Sequence, residues 1–167
     1  MFVSDEMRIP VSAAAAATRL AALTAGGSLA GLSHAAWGDG IGRVGAVPGI
    51  SELVLVQFRE PVRRGPVTVL TLRWQAADTR GALFPVLDAD ITLSSDGDHA
   101  TLIGLDGVYR PPARTGGPTP HEAAPHEAAL QRAATATIRS LLNQIADAIT
   151  RPAPPAGTPA PARGRNV

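Results

Sequence analysis

At 167 residues the chain has room for one domain and one core, and with 45% hydrophobic but only 4% aromatic residues that core is built from Ala, Val, Leu and Ile. The net charge is +1 and all fifteen positive charges are arginine; without Arg151, Arg163 and Arg165 near the C-terminus, twelve positives face fourteen negatives, a balance that argues against nucleic acid as a partner. The absence of cysteine excludes disulfides, thiolate metal sites and cysteine nucleophiles, and no run of about 18 apolar residues exists to span a membrane.

Residues 1–6 read as a ragged start, and Met7–Val11 as a short strand whose Pro10 suits an edge or a strand end. Ser12 is a fitting N-cap for a helix in which Ala13, Ala16, Leu20 and Leu23 recur at helical spacing and which Gly26-Gly27 stop. This alanine-rich stretch has the look of a signal peptide. Asp5 and Glu6 before it and Arg19 within it assign it to the fold instead, with the cytoplasm as the expected location. Ser28–Trp37 adds a second short helical segment. Asp39–Gly49 is a glycine-rich connection with an extended piece at Arg43–Ala46; it has no Walker lysine and no dinucleotide spacing.

Strand character follows. Ser51–Arg59, Val67–Gln75, Ala82–Leu93 and His99–Arg110 read as strands, with Glu60–Pro66 and Ala77–Gly81 as turns. A three-residue loop carrying Gly97 in the left-handed position joins the last two strands. It predicts Leu93 opposite His99, Ala89 opposite Ile103, Leu87 opposite Leu105 and Leu83 opposite Tyr109. Leu83, Leu87, Ala89, Ile91, Leu93, Ile103 and Leu105 then share one apolar face, and Asp88, Asp90, Thr92 and Asp106 the other.

After Pro111-Pro112 a loop carries a tandem PHEAA duplication over Pro120–Ala129, read as slippage in a tolerant loop or helix start. Its two histidines stand five apart, which does not put them on one helix face. From about His126 to Thr150 the apolar stripe of Leu130, Ala134, Thr137, Ile138, Leu141, Ile145 and Ile149 predicts a long helix. Arg151–Val167, with its prolines and terminal arginines, reads as a disordered tail. The fold class is therefore α+β, with a half-apolar sheet and an apolar helix stripe covering each other.

Candidate chemistry is sparse. Asp88 and Asp90 point the same way from one strand, as paired acid–base or metal-binding carboxylates do, but they fall on the polar face, where Arg73 is a cross-strand partner. Tyr109, the only tyrosine, shares the apolar face near the sheet's end and can offer a hydroxyl to a ligand. His99 reads as exposed beside a turn, Trp74 and Phe84 as packing together beside the Ala77–Gly81 turn, and Asp106 as outward. No Ser/His/Asp elbow is visible. No catalytic set, metal site or cofactor is expected, and the sequence leaves the oligomeric state open.

The segments RVGAVPGISELV, LTLRWQA, LFPVLDADITL, GVYRPP and ATATIRSLLNQIADAI, spread over Arg8–Thr150, resemble an actinobacterial group of the START-like, or SRPBCC, helix-grip superfamily. The element order is similar too. The resemblance implies a single domain over residues 1–150: a curved antiparallel sheet wrapped around a long C-terminal helix, with a short helical segment after the first strand. It also implies an apolar cavity near Leu83, Leu87, Ile91, Leu105, Ile138, Leu141 and Ile145, with Trp37 and His34 closing one end. The duplicated PHEAA is a departure that bears on the cavity mouth. The expected function is binding of a hydrophobic small molecule, lipid- or polyketide-like. The alternatives are a cyclase or dehydratase on the same fold, and a structural or partner-binding protein without a ligand.

Overall fold

The computed structural model describes residues 1–39, 53–77, 83–110 and 120–151. In chain order these form β1 (Phe2–Ile9), α1 (Ala13–Ala25), α2 (Ser28–Asp39), β2 (Leu53–Phe58), β3 (Val62–Arg64), β4 (Val67–Ala77), β5 (Leu83–Ser95), β6 (Thr101–Arg110) and α3 (Pro120–Thr150). The strands make one antiparallel sheet in the order β1-β6-β5-β4-β2, with β3 also paired to β4. The architecture is α+β and helix-grip, with the helices gathered on one face of the sheet and α3 lying along β1 and β6. The extended piece expected at Arg43–Ala46, all of the expected turn Ala77–Gly81 beyond Ala77 and, beyond Arg151, the tail lie outside the described residues.

The first strand is longer than Met7–Val11; it begins at Phe2 and runs in register with β6 to Ile9↔Thr101. Asp5 hid it. A carboxylate on the inward row breaks the apolar alternation, and its partner, Arg139, comes from α3, 134 residues away. The turn expected at Glu60–Pro66 holds the short strand β3, leaving only Gly65-Pro66 as the turn. Gly65 has φ +62°, the left-handed value that a two-residue hairpin asks of its first central residue. Between Phe58↔Leu72 and Val62↔Val69 this edge gains a residue around Pro61, which has no N–H to give to a ladder.

The β5–β6 hairpin has the expected faces but a different register. Leu87 stands opposite Tyr109, Ala89 opposite Gly107, Ile91 opposite Leu105 and Leu93 opposite Ile103. Leu87's partner thus lies four positions further along β6 than the three-residue loop predicts. The ladder ends at Ser95↔Thr101, and Asp96–Ala100 form the loop, closed by the Asp96 N–H donating to the Ala100 carbonyl at 3.0 Å. Gly97 keeps its left-handed conformation (φ +81°), and the Ser95 hydroxyl donates to its carbonyl at 2.8 Å. Because the slip is an even number of residues, the side chains from Val86 onward stay on the face the alternation assigned to them, whereas a register shift against β4 separates Leu83 from that alternation.

At Gly107 the inner face of β6 stands close against β5. A Cβ built there would stand 2.6 Å from the Ala89 Cβ and 2.8 Å from the Asp88 carbonyl oxygen, against the ordinary spacing of about 4.5–5.5 Å between opposed residues. Only glycine facing alanine lets the inner faces of β5 and β6 close so far.

The helices follow their signals. Ser12 precedes α1 in an extended conformation and its carbonyl accepts the Ala16 N–H, though its hydroxyl makes no capping bond. Gly27 leaves the helix with φ +72°. The C-terminal helix begins at Pro120 rather than near His126, so both PHEAA copies are helical and Pro125 sits inside. Pro120 occupies the first helical position, where a missing N–H costs nothing. At 31 residues the helix is about 46 Å long.

Candidate ligand-binding site

Strand alternation and register build the inner face in rows. Val56, Trp74, Leu87 and Tyr109 form one row across β2, β4, β5 and β6. Beside it run Phe58, Leu72, Ala89, Gly107 and Val3, then Leu70, Ile91, Leu105 and Asp5, then Thr68, Leu93, Ile103 and Met7. The predicted stripe of α3 meets these rows: Leu130, Ala134, Thr137, Ile138, Leu141, Ile145 and Ile149 are all buried, joined by Leu142 and Ala146. The result is one contiguous core, to which Ala16 and Leu20 of α1 and Leu29 and Ala36 of α2 also belong.

The sequence-predicted site residues come together in this core. Leu87, Ile91, Leu105, Tyr109, Ile138, Leu141 and Ile145 are each 0% exposed. A void wide enough for water would leave accessible area on its walls, so no water-sized opening borders these side chains. The side chains of Trp37 and Leu83, and Phe84 with them, lie outside what is described; the backbones of Trp37 and Leu83 stand near the end of α2 and at the start of β5. A shallow concavity of about 580 Å³ does run along α3, but on its solvent side, lined among others by Gln131, Arg132, Thr135, Arg139, Asn143 and Asp147. None of the predicted site residues borders it.

Polar groups in the interior are few and tied down. The Thr101 hydroxyl donates to the Val11 carbonyl at 2.6 Å, that of Ser33 to Leu29 at 2.9 Å and that of Thr137 to Ala133 at 2.8 Å. Asp5, on the edge strand, accepts from Arg139 Nε at 2.8 Å. That hydrogen bond, and then the attraction of the carboxylate, hold the Arg139 guanidinium proton more tightly than usual, above the ordinary arginine value. Arg19, half-buried on α1, donates to the carbonyl of Ile149 in the last turn of α3, where a cation complements the helix dipole. Among the described residues no three His, Asp or Glu side chains converge as a metal site would require.

The outer face carries the rest of the candidates. Asp88 lies between Arg110, at 2.7 Å, and Arg73, at 3.6 Å. Asp90 accepts from the Thr71 hydroxyl at 2.7 Å and Asp106 from that of Ser4 at 2.5 Å. His99 and Asp106 are exposed, as read from the sequence. Trp74, read as packing with Phe84 beside the Ala77–Gly81 turn, is fully buried in the row with Leu87 and Tyr109, while the side chain of Phe84 lies outside the described residues. Its signal was present: Leu70, Leu72 and Trp74 alternate along LTLRW. The Gly107–Ala89 pinch carried no such signal, because it arises only once the register is fixed.

No family model matches the chain, and no curated protein matches it in sequence. Solved structures that resemble it include TTHA0849 from Thermus thermophilus, with 12% identity over 89% of this chain and 97% of that one and a TM-score of 0.41. The Zhui aromatase/cyclase from Streptomyces sp. R1128 has 13% identity over 88% and 94%, with a TM-score of 0.34. Ara h 8.0201 has 12% over 87% and 97%, with 0.32. At these values the activities of those proteins carry nothing over to this chain, whose helix-grip architecture stands on its own strand order and helix placement. No helix among the described residues is long and apolar enough to cross a membrane.

Proposed function

We propose that this chain is a START-like binding module that takes a hydrophobic small molecule, lipid- or polyketide-like, between the inner sheet face and α3, around the residues predicted from sequence. One observation carries the reading: the inner rows and the α3 stripe face each other as a continuous apolar lining, with Tyr109 and Trp74 in a single row as its amphipathic members. Such a lining supplies affinity through apolar burial, about 25 cal/mol per Å², while a phenol or indole group fixes orientation. Because the described walls are closed, binding requires them to part, and the apparent affinity is reduced by the fraction of molecules that are open. The experiment is a thermal-stability panel of lipids, polyketides and aromatic compounds. A ligand at a hundredfold excess over its Kd adds about 2.7 kcal/mol, which raises Tm by about 5–10 °C in a domain of this size. A panel without a single selective shift contradicts the proposal.

A second reading, a partner-binding protein with a solid core, is favoured by the 0% exposure of the seven described site residues and by Phe2 and Val108, 64% and 45% exposed and directly opposed on the outer face. It predicts a flat panel. A cyclase or dehydratase needs at least two titratable groups turned inward, and the inner rows of the described residues offer only Tyr109 and an Asp5 already engaged by Arg139.

A further inference from the structure

We infer, resting on the reading that the interior takes a small molecule, that this molecule is uncharged: the site admits a neutral compound and rejects the matching carboxylate, phosphate or ammonium. Apart from the amphipathic Trp74 and Tyr109, the described residues that are fully buried are apolar save Ser33, Thr101 and Thr137, and those three hydroxyls already donate to backbone carbonyls. No arginine is among them. Arg19, half-buried on α1, is committed to the Ile149 carbonyl, and Arg139, exposed on α3, to Asp5. The one carboxylate on the rows described above is Asp5, at the β1 edge, and it is already compensated. Among the described residues, an anion carried inward therefore finds no uncommitted counter-charge to replace its hydration, and a cation meets no free carboxylate. A neutral hydroxyl or carbonyl loses far less, and the phenol of Tyr109 and the indole of Trp74 lie in the row where it would be received.

Charge on the outside of the protein sharpens the contrast. The sheet's outer face carries Asp88, Asp90, Asp106, Arg73 and Arg110, so an ionised ligand that merely adsorbs has partners there. Such adsorption fades as salt screens it, whereas a preference set by desolvation in the core does not.

Titration calorimetry of the full chain with matched pairs tests this: decanol with decanoate and decylamine, and naphthol with naphthoate, in low salt and in about 0.5 M salt. The neutral member of each pair is expected to bind at least about tenfold more tightly, the ratio set by uncompensated desolvation, and to keep that advantage in high salt. A carboxylate or amine that binds as well as its neutral partner overturns the inference while leaving interior binding standing. A neutral preference that disappears in high salt also overturns it. No binding by any member, in either salt, removes the binding reading and this inference together.

Discussion

The two faces of the sheet are built from the same strands and obey opposite rules. On the inner face successive rows are closed so tightly that glycine must stand opposite alanine, and the buried side chains keep no contact with water. On the outer face carboxylates alternate with arginines and hydroxyls, and Phe2, Leu55, Val62 and Val108 stay exposed. The difference teaches where each kind of residue has its meaning: inner positions are fixed by volume, outer ones by local pairing that water and salt can replace.

Truncation should divide the faces most sharply. Leu105→Ala is expected to cost about 2–5 kcal/mol through lost burial and the cavity left behind, read as a lower urea midpoint with unchanged slope. Ser94→Ala, outward on the neighbouring strand, is expected to stay within about 0.5 kcal/mol. Equal losses at the two sites would mean that the faces are not distinct.

Added volume should give the next largest effect. Gly107→Ala brings a methyl against the Ala89 Cβ and the Asp88 carbonyl, so backbone must move, at about 1–3 kcal/mol. Gly104→Ala, outward, is crowded only by the Thr92 hydroxyl at 2.9 Å, a side chain that can turn aside, with the Glu6 Cβ and the Asp5 carbonyl at ordinary contact distance, and is expected to cost less. A Gly107→Ala protein as stable as its parent would show that the pinch is not a constraint.

The polar pairs come last. In a double-mutant cycle, Asp88→Ala with Arg110→Ala is expected to give a coupling of about 0.2–1 kcal/mol, shrinking in high salt. A larger, salt-insensitive coupling would mean that the outer face is buried in an assembly.

The faces were legible from sequence because parity along a strand survives errors of register. The alternation Leu87, Ala89, Ile91, Leu93 put those residues inside whether Leu87 meets Leu105 or, as it does, Tyr109. The register was not legible, because Gly97 in the left-handed conformation suits both a three-residue loop and the longer Asp96–Ala100 loop. The first half of β1 and all of β3 were not legible for local reasons: Asp5 and the Glu60–Pro61 pair contradict strand patterning, and distant or edge contacts settle them. Of the candidate site, the burial of Leu87, Ile91, Leu105, Tyr109, Ile138, Leu141 and Ile145 was readable from period and stripe. Its closure was not, since whether large side chains meet or leave a space depends on how closely the packed elements approach, and no local pattern records that distance.

The claim that matters most is that the inner face receives the ligand, and methyl NMR tests it directly. On adding the compound that gives the largest thermal shift, the methyls of Leu87, Ile91, Leu105, Ile138 and Ile145 should move and show contacts to the ligand, while those of Leu55, Val62 and Val108 stay still. Shifts confined to the outer methyls, with the inner ones unchanged, would contradict it.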